Sequence, residues 1–165
     1  MKSAIICDID GCVIDTDWIW EEVEKKKISG ADKWLFFNKN SCDMVKAKID
    51  DVLLRIIKMQ LYTTGAELIF STARNECLRE QTRKILQDLF EGQEFLLYMR
   101  PDGCLLSSED LKEAHLQEIR KNFVVIQAYD NEAQNCMMYS KNGVDAIQWI
   151  SKKHKGVDCK QACTV

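Results

Sequence analysis

Residues 3–15 read SAIICDIDGCVID, and this stretch decides the fold. The apolar run at residues 3–7 is typical of a short buried strand, because it is bounded closely by glycine. Asp8 and Asp10 leave that strand two residues apart, so their carboxylates point the same way. Like charges held together are unfavourable unless a cation or proton lies between them. Gly11 then permits a tight turn or a close approach to a ligand. The stretch predicts a metal-assisted site at the carboxyl end of a parallel sheet.

An Asp-x-Asp-Gly motif by itself has simpler explanations. A solvated turn is one, and the motif alone does not exclude it. A calcium loop of the EF-hand type is another, but it needs an oxygen ligand at its fifth position and glycine at its sixth. Here Cys12 is fifth and Gly11 is fourth. The interpretation therefore depends on whether the rest of the chain supplies partners.

The composition is that of one soluble globular domain. The chain has 165 residues, of which 46% are hydrophobic and 30% charged, a normal balance for a protein with a buried core. The formal net charge of −3 argues against a surface that coats nucleic acid. A local basic pocket for a single phosphate remains compatible with that charge.

Cysteine usage and hydropathy predict a cytoplasmic protein. The eight cysteines are scattered and include no Cys-x-x-Cys pair, which favours reduced thiols over a disulfide framework. A zinc site at His154, Cys159 and Cys163 lacks a fourth ligand at sensible spacing. We find no apolar stretch of membrane-spanning length and no signal-peptide pattern at the N-terminus.

Apolar runs alternate with amphipathic segments along the chain. This order predicts an α/β fold, with a three-layer, Rossmann-like parallel sheet of about five strands. The expected strands are residues 3–7, 67–71, 95–99, 123–128 and 144–150, and a long helix is expected at residues 43–61. We expect one domain at residues 1–150, a small helical cap insert at about residues 17–40, and a polar C-terminal tail at residues 151–165.

Polar residues follow several of the expected strands. Thr72 and Arg74 come after the second strand, Arg100 after the third and Asp130 after the fourth, while Lys112 belongs to the helix before Asp130. Singly, Thr72 could cap a helix, Lys112 could be solvated and Asp130 could form a turn. Together they supply the acids that Mg²⁺ prefers and the cations that neutralise a phosphate.

These residues resemble, in order, the four motifs of the haloacid dehalogenase (HAD) phosphohydrolase superfamily. The matching positions are residues 8–11, Thr72, Lys112 and Asp130. Softer patterns resemble the 3′-phosphatase domain of polynucleotide kinase and its phage and bacterial relatives, which is compatible with a phage or viral gene. These patterns are residues 34–37 (WLFF), 71–74 (STAR), 97–103 (LYMRPDG) and 143–148 (GVDAIQ).

The resemblance implies a two-step phosphatase mechanism. Asp8 would attack phosphorus and form an aspartyl-phosphate. Asp10 would protonate the leaving oxygen and then activate water. Thr72 and Lys112 would hold the transferring phosphoryl group.

The resemblance also implies a cofactor and substrate contacts. Mg²⁺ would be held by Asp8, the backbone carbonyl of Asp10, and Asp130. Gly11, Ala73, Arg74 and Arg100 would line the substrate site. Cys12 and Tyr129 differ from the usual family pattern, which has threonine and often a second acid there.

The implied substrate is a phosphorylated nucleic-acid end, from which the 3′-phosphate is removed. Two alternatives stay open: a phosphatase of small phosphate esters such as nucleotides, and a catalytically weak HAD-like binding module. The sequence contains no Gly-x-x-x-x-Gly-Lys-Ser/Thr loop, so we expect any kinase activity to reside on a separate chain.

Overall fold

The computed structural model describes residues 1–150, and the expected tail at residues 151–165 lies outside them. Within the described part there are seven strands and six α-helices. The strands are β1 (Lys2–Cys7), β2 (Ile14–Asp15), β3 (Lys48–Ile49), β4 (Glu67–Asn75), β5 (Phe95–Arg100), β6 (Phe123–Asp130) and β7 (Asp145–Gln148). The helices are α1 (Asp17–Lys25), α2 (Asp32–Asn40), α3 (Asp51–Thr64), α4 (Arg79–Leu89), α5 (Ser108–Ile119) and α6 (Ala133–Lys141).

Five of the strands form one parallel sheet in the order β5-β4-β1-β6-β7. The prediction of a Rossmann-like parallel sheet of about five strands is confirmed. The central strand is β1, so the residues that follow it emerge in the middle of the sheet edge. The short strands β2 and β3 pair antiparallel in a separate ribbon.

Each face of the sheet has its own buried core. Ile5 and Cys7 of β1 belong to a core that includes residues of α3 and α4. Ala4 and Ile6 of the same strand belong to a core with residues of α5 and α6. Since alternate side chains of a strand point to opposite faces, a central strand covered on both sides must be apolar throughout. This arrangement explains the unbroken apolar run at the start of the chain.

The predicted helix at residues 43–61 is wrong at its start. Residues 48–49 form β3, and α3 begins only at Asp51. Val45 fits the helical period in sequence, yet it is 95% exposed. The Asp50 side chain accepts hydrogen bonds from the backbone N–H groups of Val52 and Leu53, which fixes Asp50 as the N-cap.

Two strands are longer than predicted, and this changes where the polar residues lie. Strand β4 continues to Asn75, with irregular pairing to β5 after Ser71. Strand β6 continues to Asp130. Thr72, Arg74 and Asp130 therefore lie within strand ends rather than in the turns that follow.

Residues 17–40 form α1 and α2, joined by a short connection. The boundaries of the expected cap insert remain a prediction. Among residues 1–150, no helix has both the length and the apolar character needed to cross a membrane.

The Asp50 cap predicts a measurable contribution to stability. One carboxylate oxygen caps α3, and the other accepts a hydrogen bond from the Trp149 indole N–H at 2.9 Å. Asp50→Ala should lower the free energy of unfolding in urea by about 1–2 kcal/mol. Asp51→Ala, at the exposed neighbouring position, is the matched control. Equal losses in the two variants would contradict the capping role.

Candidate active site

The predicted catalytic residues meet at one edge of the sheet. Asp8 and Asp10 follow β1, Thr72 lies near the end of β4, and Asp130 ends β6. Lys112 comes from the first turns of α5. These residues lie close together because the carboxyl ends of parallel strands share one edge.

Lys112 joins two of the acids. Its ammonium nitrogen lies 2.9 Å from Asp8 Oδ2 and 2.6 Å from Asp130 Oδ2, and all three residues are buried. Burial by itself would lower the pKa of Lys112, but the two carboxylates raise it well above its usual range. Lys112 is therefore a charged ammonium inside the protein, which refutes the solvated-helix explanation for it.

The pKa of Asp8 shows the opposing forces at the site. The pKa is raised to about 7: burial is the largest cause, Lys112 acts to lower it, and the carboxylates of Asp130 and Asp10 also raise it. Desolvation penalises the ionised carboxylate. A second cation at this point would favour the ionised form, which is the form that a nucleophile needs.

Asp130 is held on its other side by Asn135 and by the backbone. Its Oδ1 accepts hydrogen bonds from Asn135 Nδ2 at 3.0 Å and from the Glu132 N–H at 3.0 Å. The side chain of Asn135 is completely buried, and its Oδ1 accepts no hydrogen bond from a described residue. Nothing in the sequence pattern singled out Asn135, which supports Asp130 from the first turn of α6.

Asp10 has a different partner from Asp8. Arg74 donates two hydrogen bonds of 2.8 Å to it, from Nε to Oδ2 and from Nη2 to Oδ1. This bidentate geometry fixes both the position and the orientation of the carboxylate. Asp8 and Asp10 thus share one edge of the sheet but belong to separate ion pairs.

Arg74, which the sequence predicted as a substrate contact, has a buried side chain that is surrounded by protein groups. Its side chain is 0% exposed. Besides Asp10, its guanidinium donates to the Ser41 carbonyl at 2.8 Å and to Thr82 Oγ1 at 3.4 Å. Arg74 borders the cavity, but its donors are engaged by these groups, so it positions Asp10. Ser41 and Thr82 were missed from sequence, because neither belongs to a motif or to a strand exit.

The remaining predicted residues surround these ion pairs. Thr72 is buried, and its Oγ1 accepts a hydrogen bond from the Arg74 N–H at 3.2 Å. Ala73 lines the cavity beside it. Arg100 also lines the cavity, but its guanidinium donates to the carbonyls of Ala73, Cys104 and Leu106. It therefore orders the loop after β5 as well as facing the site.

Ser71 and His115 form a buried pair behind Thr72. Ser71 Oγ lies 2.9 Å from His115 Nδ1. Burial lowers the pKa of His115 to about 4, so the imidazole is neutral near pH 7. The pair joins β4 to α5 one turn beyond Lys112, and sequence patterns did not identify it.

Gly11 is required by both conformation and space. Its φ of +74° is in the left-handed region, which costs side-chain-bearing residues about 1–2 kcal/mol. A Cβ atom at this position would lie 2.4 Å from Asn131 Nδ2 and 2.8 Å from Asn131 Cγ. Gly11 therefore allows the turn after β1 to pack directly against the residue that follows β6.

The two departures from the family pattern lie in the core. Cys12 and Tyr129 are both buried in the apolar cluster that includes Ile5 and Cys7. The Tyr129 hydroxyl donates to Gln60 Oε1 at 2.7 Å, away from Asp130. These two residues thus contribute packing rather than ligands.

One wall of a cavity of about 670 Å³ is formed by Asp8, Asp10, Thr72 and Lys112. This volume is typical of small-molecule sites. The opposite walls come from α1, α2 and the loop after β5. Their cavity-facing residues include Trp20, Trp34, Leu35, Phe37, Leu105 and Leu106. The cavity is therefore ionic on one wall and largely apolar on the others, where Asp17, Asn38 and Ser107 add polar groups.

The chemistry of the donors fits Mg²⁺. Asp8 and Asp130 offer carboxylate oxygens, and Asp10 offers a backbone carbonyl, the hard ligands that this ion prefers. Across residues 1–150, no three acidic, histidine or cysteine side chains already converge as a metal site. Instead, the Lys112 ammonium lies between Asp8 and Asp130 and supplies positive charge there.

Comparison with known proteins identifies the fold. The sequence matches no family model and no curated protein. A chain of the Pnkp1/Rnl/Hen1 RNA repair complex matches with a TM-score of 0.69 and 20% identity, over 90% of this chain and 42% of that one. The class C acid phosphatase from Bacillus anthracis with tungstate bound matches with a TM-score of 0.64 and 15% identity, over 92% and 67%. The haloacid dehalogenase-like protein SP0104 from Streptococcus pneumoniae matches with a TM-score of 0.55 and 10% identity, over 88% and 83%.

These likenesses define the class of fold. The chain has the haloacid dehalogenase-like fold, and the sequence-based prediction of that fold is confirmed. It spans less than half of the RNA repair chain that it matches.

The contact between Gly11 and Asn131 can be isolated by substitution. Gly92 has the same φ of +74°, but a Cβ atom there would meet nothing within 4 Å, so Gly92→Ala carries the conformational cost alone. Gly11→Ala should cost about 1–3 kcal/mol more, because the methyl group overpacks against Asn131. The free energy of unfolding in urea measures both losses.

The Asn131→Ala variant tests whether the Asn131 side chain causes the extra loss of stability in Gly11→Ala. In Asn131→Ala, the extra cost of Gly11→Ala should fall to that of Gly92→Ala. An unchanged excess would show that Asn131 is not the obstacle.

Proposed function

We propose that this protein is a Mg²⁺-dependent phosphatase that removes 3′-phosphates from polynucleotide ends through an aspartyl-phosphate on Asp8. One observation carries the proposal. Asp8, Asp130 and Lys112 form a buried ionic cluster, and Asp10 lies beside it in a fixed bidentate pair with Arg74. A salt bridge with only a structural role would not need two separate groups of paired charges, Asp8 with Lys112 and Asp10 with Arg74, facing the same cavity.

In the first step, a carboxylate oxygen of Asp8 attacks phosphorus. The bond from Asp8 to phosphorus forms as the bond from phosphorus to the sugar oxygen breaks. Asp10, protonated on an oxygen lone pair that Arg74 does not occupy, gives its proton to that leaving oxygen. In the second step, Asp10 takes a proton from water, the water oxygen bonds to phosphorus, and Asp8 is released with inorganic phosphate.

Lys112 and Thr72 act on the transferring group. The buried Lys112 ammonium neutralises oxygen charge near Asp8, and the Thr72 hydroxyl can donate a hydrogen bond to a phosphoryl oxygen. Asp8, Asp130 and the Asp10 carbonyl would hold Mg²⁺, whose charge would offset repulsion between Asp8 and the phosphate.

The choice of substrate is supported by two features. The fold is shared with a chain of an RNA repair complex, and the stretches at residues 34–37, 71–74, 97–103 and 143–148 resemble polynucleotide 3′-phosphatases. The fold is also shared with an acid phosphatase, so small phosphate esters are the alternative that the experiment must separate.

Phosphate release should be measured with Mg²⁺ on a 3′-phosphorylated oligonucleotide, its 5′-phosphorylated counterpart and free nucleotides. We expect release from the 3′ end alone. Asp8→Asn should abolish it, because the amide cannot act as the nucleophile, and a chelator should do the same. Asp145→Asn, at an exposed carboxylate on β7, is the matched control and should retain full activity.

Other outcomes would change the proposal. A preference for free nucleotides would replace the polynucleotide substrate and keep the mechanism. Absence of release from every substrate, including an aryl phosphate, would refute the phosphatase and favour a binding module.

The bidentate pair predicts an effect of Arg74 on the rate. Arg74→Lys keeps the charge but loses the two parallel hydrogen bonds to Asp10. We expect kcat on the oligonucleotide to fall by about a hundredfold, since small misplacement of a catalytic group has that effect. KM should change little, because the donors of Arg74 are already engaged by Asp10, Ser41 and Thr82. Arg55→Lys, at an exposed arginine of α3, is the control.

A double variant distinguishes positioning from loss of structure. Asp10→Asn with Arg74→Lys should be no slower than Asp10→Asn alone, because Arg74 acts through Asp10. Additive losses would contradict the positioning role.

A further inference from the structure

The apolar wall of the cavity belongs mainly to the segment formed by α1 and α2. Trp20 and Phe37 stack with ring centroids 5.2 Å apart and planes at 18°. Trp34 contacts both rings edge-on, at 5.4 Å from Trp20 and 6.2 Å from Phe37. The three rings form a cluster, here called the aromatic platform, that faces the cavity.

The platform is only partly used by the fold. Phe37 is buried, but Trp34 is 58% exposed while still lining the cavity. Across the cavity, Leu105 is 97% exposed. Exposing large apolar side chains to water is unfavourable, so their presence at the mouth of a phosphate site indicates a ligand that covers them. A free sugar phosphate has no apolar face to do so.

The lysines of this segment are concentrated in its second half. Residues 25–40 contain five lysines and one aspartate, whereas residues 17–24 contain four acidic residues and no lysine, so the segment as a whole is neutral. Lys27, Lys33 and Lys39 are exposed. Aromatic side chains and exposed lysines on one segment are a combination that binds single-stranded nucleic acid, whose bases stack on the rings while its phosphates meet the cations.

We propose that the aromatic platform stacks the unpaired base of the nucleotide that carries the phosphate, with Trp34 as its main contact. This inference rests on the proposed function and adds a specificity determinant to it. The flanking phosphates of the strand run along the lysines of residues 25–40. The ligand is a single-stranded end, because an unpaired base can turn out of the strand and place its face on a protein ring.

Binding is measured apart from turnover by using the Asp8→Asn variant as the background. The probe is a short, fluorescently labelled single-stranded oligonucleotide with a 3′-phosphate, and the readout is anisotropy. Trp34→Ala should weaken binding about tenfold, the size expected for loss of one base–aromatic stack. Trp34→Phe should bind within about threefold of the background, since it keeps an aromatic face.

Two controls make the effect specific. Tyr62→Ala removes an exposed aromatic ring of α3 that does not line the cavity, and it should leave affinity unchanged. An oligonucleotide whose last nucleotide lacks its base should bind the Asp8→Asn background with the same affinity whether or not Trp34→Ala is added.

The lysines are tested through salt dependence. Lys33→Gln and Lys39→Gln should each reduce the slope of log affinity against log salt by about 0.7, the value for one phosphate contact on a single strand. Lys84→Gln, an exposed lysine of α4, should not change the slope.

The outcomes separate this inference from the proposed function. If the native chain releases 3′-phosphate but Trp34→Ala binds as Tyr62→Ala does, the platform proposal is overturned and the phosphatase stands. If binding depends on Trp34 and on the terminal base but no phosphate is released, the platform stands and the phosphatase fails. Stronger Trp34-dependent binding of a phosphotyrosine peptide than of the oligonucleotide would overturn the nucleic-acid ligand.

Discussion

The site depends on the buried ammonium of Lys112. It lies within 3 Å of carboxylates from two different strand ends, Asp8 after β1 and Asp130 in β6. Removing charges from water is costly, and the cost is offset only when opposite charges meet at close range. Loss of Lys112 would leave two carboxylates close together inside the protein without their shared cation. Helix α5 and the middle of the sheet are therefore held in one relative position by the chemistry of the site.

The second ion pair gives the neighbouring acid a different role. Asp10 is bound in two places by Arg74, which is itself fixed by Ser41 and Thr82. A single ammonium holds Asp8 as a point charge, whereas a guanidinium fork sets the plane of a carboxylate. Two acids from one motif thus differ in what holds them. This difference fits the separate roles proposed for them, a nucleophile and a proton carrier.

Sequence patterns predicted the features that depend on local order. The five-strand sheet and the meeting of Asp8, Asp10, Thr72, Lys112 and Asp130 follow from apolar runs and from the shared edge of parallel strands. The partners of Arg74 could not be found this way, because they come from the end of α2 and from α4, which no motif connects. The start of α3 was misplaced for a related reason. Helical periodicity extends back to Val45, but the helix begins only after the N-cap residue Asp50.

Burial divides the site into two layers with different constraints. The ionic wall is almost fully excluded from water, so its charges interact strongly and tolerate little change in geometry. The wall formed by α1 and α2 keeps Trp34 largely exposed, and side chains there can change without breaking the sheet. Under the proposed function, the groups that act on the phosphate would lie in the core, and the contacts that select a substrate would lie on helices outside it. A fold built in this way can change its ligand while it keeps its reaction.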